Sequence, residues 1–128
     1  MVHYSFPLVN FKRVNETQGE SAMKMSMEQA IEKLFSHLKA SYVRFMPDNK
    51  QMQDRYCNGL DIHIGKKYIK VVENNRVVLF VVNVHDDKKF QYGDILKSAS
   101  WKTPAKNFAR GNIFVPEKWQ NIHWTGAS

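Results

Sequence analysis

The sequence predicts an α+β domain: one amphipathic helix packed on an antiparallel three- to four-stranded β-meander, followed by a short C-terminal helix. Three observations predict it. Ala30, Ile31, Leu34, Phe35, Leu38, Tyr42 and Phe45 recur at three- and four-residue steps, the period of a helix that buries one face. Leu60, Ile62 and Ile64 alternate with Asp61 and His63, the period of a half-buried strand. Asn74-Asn75-Arg76 then separates Tyr68–Glu73 from the apolar run Val77–Val84, which reads as a tight hairpin feeding a central strand apolar on both faces.

Taken in order, residues 1–25 read as an extended arm. Pro7, Asn10, Asn15 and Gly19 interrupt any period, while Tyr4, Phe6, Leu8, Val9, Phe11 and Val14 give the arm an apolar side suited to docking. Ser26-Met27-Glu28-Gln29 is a capping box that opens the helix over about 27–45, and Pro47 with Asp48-Asn49 closes it. A polar link leads to strands 60–64 and 68–73, turning at Gly65-Lys66, and on to the run 77–84. After the solvated loop His85–Lys89, Tyr92–Leu96 is expected as a fourth strand turning at Gly93-Asp94. Thr103-Pro104 followed by Gly111 has the start and stop signals of a two-turn helix. The main domain therefore spans 26–114, and residues 115–128 read as an aromatic tail carrying Trp119, His123 and Trp124. Methionines at 23, 25, 27, 46 and 52 flank the first helix as fillers of core gaps.

With 128 residues the chain holds one ordinary domain, which hides roughly two thirds of its unfolded surface without needing staples. The single cysteine, Cys57, excludes a disulfide-built scaffold, so an intracellular setting is the default. The longest apolar run, Val77–Val82, falls far short of the ~20 residues of a membrane span, and no membrane partner is expected. Nineteen Lys and Arg against twelve Asp and Glu give a net charge of +7, which points to an anionic partner.

The charge is concentrated. From Ile95 through Pro116 there is no acidic residue, while Lys97, Lys102, Lys106 and Arg110 all occur. In a helix opened at Thr103, Lys106 and Arg110 fall on one stripe beside free backbone amides, a geometry that accepts phosphate. Lys66, Lys67 and Lys70 in the first hairpin extend the patch, and Trp101 is placed to stack a base. These eight residues are the expected nucleic-acid contacts, with DNA and RNA both open. Enzyme signatures are poor: the sequence has no glycine-rich phosphate loop, no H-E-x-x-H and no C-x-x-C, and no cofactor is expected. Asp61, His63 and Glu73, with His85, form the weaker option of a metal or general-acid site, and Cys57 with His63 a weaker one still.

A helix, a three-stranded meander and a lysine-bearing helix follow the order of elements in double-stranded-RNA-binding domains, which this chain resembles in topology only. Residues 68–114 also resemble a group of small, functionally unassigned phage and viral proteins. The stretch Gly93-Asp94-Ile95-Leu96-Lys97-Ser98-Ala99-Ser100-Trp101-Lys102-Thr103-Pro104-Ala105-Lys106, continued by Ala109-Arg110-Gly111-Asn112, carries that resemblance. It implies a viral origin and a life in the host cytoplasm or a virion, but no activity and no site residues. The leading expectation is thus a small basic viral nucleic-acid-binding protein without covalent chemistry. The alternative is a virion structural or host-factor-binding protein, self-associating or bound to other virion proteins through its arm and tail.

Overall fold

The computed structural model describes residues 25–128. The expected arm therefore lies outside the described residues but for Met25. The first helix, α1 (Met27–Phe45), begins as expected: Ser26 Oγ accepts from the Gln29 amide at 3.1 Å, and Gln29 Oε1 accepts from the Ser26 amide at 3.0 Å. These bonds satisfy amides that the first turn otherwise leaves unpaired. The helix buries Ala30, Ile31, Leu34, Leu38, Ser41 and Tyr42, and stops at Met46, ahead of Pro47.

The polar link turns out to be a second helix, α2 (Lys50–Gly59). Asn49 caps it by accepting from the Met52 amide, and Lys50 pairs with Asp54 one turn on. Only Tyr56 is buried, so the helix has almost no apolar stripe to announce it.

Strands β1 (Leu60–Ile64), β2 (Tyr68–Glu73) and β3 (Arg76–Val82) form the expected meander, joined by β4 (Asp94–Leu96) and β5 (Gly111–Asn112) in the order β1-β2-β3-β4-β5. The run apolar on both faces is indeed the central strand. Asn74, at φ 57°, supplies the left-handed residue of the β2–β3 turn. Gly93, at φ 87°, turns the chain into β4, which is shorter than expected.

Residues 103–110 form no helix. Pro104 instead bridges Ser98, the Ala105 amide donates to the Lys97 carbonyl at 2.8 Å, and Gly111 enters β5 opposite Ile95. The resemblance to double-stranded-RNA-binding domains fails with that helix, since theirs is the element that would carry the last basic contacts.

The inner face of the sheet, with Ile62, Val71, Leu79, Val81 and Ile95, packs on α1. The tail closes this core. After a 3₁₀ turn at Pro116–Lys118, β6 (Ile122–His123) and β7 (Gly126–Ala127) form a small separate hairpin, and Trp119, Ile122 and Ala127 are buried among the residues of α1 and the sheet. Met25, Met27, Met46 and Met52 fill gaps around it.

Candidate nucleic-acid interface

The outer face of the sheet carries a second, smaller apolar cluster. Phe80, Val82 and Leu96 project from β3 and β4, Phe90 covers them from the β3–β4 loop, and Tyr68, Val77, Val84 and Ala109 pack at the edges. Three lysine ammonium groups ring this cluster. Lys67 Nζ lies 5.7 Å from the Tyr68 ring centroid, Lys70 Nζ 6.0 Å from Phe80, and Lys89 Nζ 5.5 Å from Phe90. Each alkyl stem covers apolar surface while the charge stays at the rim, and the ring quadrupole adds a modest attraction.

The loop after β3 brings in further cations. Asp87 Oδ1 accepts from the amides of Lys89 and Phe90, both at 2.8 Å, and its other oxygen meets Lys67 Nζ at 3.5 Å. Those two amides, with Lys67 beside them, hold the Asp87 carboxyl below the usual carboxylate range. The consequence is a clasp between the β1–β2 turn and the loop. Lys66, Lys67, Lys88 and Lys89 then line one open cleft of about 610 Å³ with Val84, Asp86 and Asp87. Because Asp87→Asn keeps an oxygen for the two amides but removes a negative charge from the cleft, it is expected to tighten anion binding by up to roughly fivefold at low salt. An affinity titration of the variant checks this.

The segment 97–105 forms a tight hairpin whose tip is Trp101-Lys102. Ala99 and Ser100 amides both donate to the Thr103 carbonyl at 3.0 Å, and Ser100 Oγ accepts from the Lys102 and Thr103 amides. Thr103, expected as a helix cap, spends its hydroxyl on Ser100 Oγ at 2.7 Å. The tip reaches across the outer face, with Lys70 Nζ 4.2 Å from the Trp101 ring centroid and the His63 ring 6.1 Å away, edge-on. The register explains why: His63, Lys70, Phe80 and Leu96 are successive partners across β1 to β4 and share one row.

Of the eight expected contacts, Lys67, Lys70 and Trp101 thus meet on the outer face, and Lys66 lines the adjoining cleft with Lys67. Lys102 is exposed beside Trp101. Lys106 is exposed too, and its carbonyl accepts from Lys89 Nζ at 2.7 Å. Lys97 stands exposed at the base of the hairpin. Arg110 is committed elsewhere: its guanidinium bonds Asn107 Oδ1 and the Phe108 carbonyl and lies 3.9 Å from the Phe108 ring centroid. With no helix at 103–110, Lys106 and Arg110 do not form a helical stripe, and the free-amide phosphate site is absent from the described residues. Lys88, Lys89 and Phe108 are additions that the sequence reading passed over. Lys88 and Lys89, preceded by Asp86 and Asp87, read as part of a solvated loop, and Phe108 falls within the expected helix.

The metal option does not assemble. Among the described residues no group of three or more His, Cys, Asp and Glu is placed to hold an ion. Glu73 is spent on Arg76 at 3.3 Å and on the Asn74 amide group.

The model of a family of unknown function, DUF7717, matches residues 8–128. The chain belongs to this family. Membership of DUF7717 agrees with the unassigned family expected from Gly93–Asn112, and the match extends well beyond 68–114, through the tail that completes the core. No curated protein and no solved structure matches the chain.

Proposed function

We propose that the protein is a small nucleic-acid-binding protein that acts without covalent chemistry through the outer face of its sheet. The observation that carries this reading is the ring of Lys67, Lys70 and Lys89 around one apolar cluster, continued by the cleft lysines Lys66 and Lys88 and by Lys102 and Lys106. Residues far apart in the chain thereby offer one polyanion a shared wall, and a net charge of +7 supports long-range attraction to it. The motif in Gly93–Lys106 that suggested a viral source is the one that builds the Trp101 hairpin. In this reading the protein works in a host cytoplasm or within a particle. The assembly alternative has less support, because Trp119 is a core residue and not a free contact.

Binding is expected to weaken with salt. Four neutralised phosphates give a slope of log affinity against log salt of roughly −3 to −4 on a duplex and nearer −3 on a single strand, and Lys70→Ala should make it shallower by about 1 without changing the fold. Titration of a labelled oligonucleotide at several salt concentrations measures both. Absence of binding at low salt overturns the function.

A further inference from the structure

Resting on that reading, we infer that the ligand is single-stranded nucleic acid, held by base stacking on Trp101 and Phe108. Five large apolar side chains are exposed among the described residues: Val43, Phe45, Ile64, Trp101 and Phe108. Two of the three aromatic ones lie within the acid-free segment, Trp101 with 45% and Phe108 with 56% of its surface in contact with solvent. Leaving such rings in water forfeits the favourable burial that the other tryptophans obtain, Trp119 inside the core and Trp124 packed against it.

Both rings are also held in place. Trp101 sits at the tip of a hairpin fixed by the Ser100 and Thr103 bonds, with Lys70 Nζ 4.2 Å from its centroid. Phe108 is backed by Arg110, whose guanidinium is itself fixed by Asn107 and by the Phe108 carbonyl. A ring with a cation against one face and about half its area in solvent has its other face open. That is the form of a stacking platform: every base has a π-face, and a neighbouring cation adds attraction to the phosphates on either side.

The segment between the two platforms follows the cation-rich wall. Lys102 adjoins Trp101, Lys106 is tied to Lys89, and Ala109 packs on the outer cluster. A backbone can therefore run along the lysines while its bases turn onto the rings. Duplex bases are already stacked on one another and cannot reach the rings without unpairing. A duplex would gain only the phosphate contacts.

The experiment titrates the full chain at fixed low salt with three probes: a twenty-nucleotide oligothymidine strand, a duplex of the same length, and inorganic polyphosphate. The expected result is tightest binding to the single strand, with quenching of tryptophan emission. Trp101→Ala and Phe108→Ala should each weaken single-strand binding by roughly five- to a hundredfold and leave polyphosphate binding unchanged, with Trp101→Phe recovering part of the loss. Since both side chains are exposed, near-native unfolding midpoints for the alanine variants are expected and can be checked directly. Equal binding of all three probes, or no effect of either alanine variant on the single strand, overturns the inference and leaves the proposed function standing. Tighter binding of the duplex does the same. Failure of every probe to bind overturns both.

Discussion

Trp119→Ala is expected to lower the stability of the fold by about 3–5 kcal/mol, a large share of the ~5–15 kcal/mol available to a domain. The indole is only 5% exposed, its Nε1 donates to the Asn112 carbonyl at 2.9 Å, and its ring meets His37 of α1 edge-on with centroids 5.2 Å apart. Truncation removes the largest side chain that the C-terminal segment gives to the core and leaves a cavity between α1 and β5. Trp119→Phe is a milder case. Most of the volume stays, and the Asn112 carbonyl keeps the Val115 amide at 3.0 Å as a donor, so a loss nearer 1 kcal/mol is expected. Urea unfolding of both variants checks the pair, and equal losses would show that the hydrogen bond, not the packing, dominates.

The same geometry changes what a tail deletion would mean. Removing residues 116–128 takes Trp119, Ile122 and Ala127 out of the core. It also takes away the Ile122 carbonyl that faces His37 Nε2 at 2.7 Å, the Trp124 amide bonded to Ser41 Oγ, and the Trp124 and Thr125 carbonyls that accept from Arg76. Four described elements, α1, α2, β3 and the tail, are joined there, because Tyr56 of α2 also donates to the Trp124 carbonyl at 3.0 Å. Deletion is expected to unfold the domain. Any loss of self-association in such a variant would then report on folding rather than on a contact surface.

What was readable in the sequence follows from how local each determinant is. The first helix declares itself because the cap and the apolar stripe are both written within Ser26–Phe45. The meander does so because alternation and turn residues are local too, and because only a strand with neighbours on both sides can afford six apolar residues in a row. The second helix escaped because its one buried side chain, Tyr56, gives no period. Its signals were the Asn49 cap and the Lys50–Asp54 pair, which also suit a loop. Thr103-Pro104 and Gly111 carried the punctuation of a helix, yet Pro104 bridging Ser98 and Gly111 pairing with Ile95 are tertiary choices that no local signal reveals. The interface was half legible for the same reason. Its lysines can be counted, but their meeting depends on Asp87 Oδ1 folding the loop by accepting from the Lys89 and Phe90 amides, in a stretch that reads as a solvated loop.

Gly126→Ala is expected to be as damaging as the loss of Trp119, by a different route. Gly126 sits in the β6–β7 hairpin at φ 132°, a conformation that costs an L-residue about 1–3 kcal/mol before any contact is considered. A Cβ there would also run into the backbone carbonyl of Val78. Val78 is the residue skipped where the β2–β3 register shifts, Val71 pairing with Leu79 and Val72 with Val77. The bulge in the central strand thus lies directly against the glycine, and main chain cannot swing aside as a side chain can. Adding roughly 1–3 kcal/mol of overpacking brings the expected loss to about 2–6 kcal/mol, centred on a fall in Tm of about 15 °C for a domain of this size. Gly59→Ala is the matched control: at 2.6 Å its Cβ first meets the Asn74 side-chain amide, which can rotate away, so the loss should stay within about 1 kcal/mol. Thermal unfolding of the two variants decides the matter. Equal small shifts would show that the hairpin does not seat on β3, and would withdraw the account of the tail as part of the core.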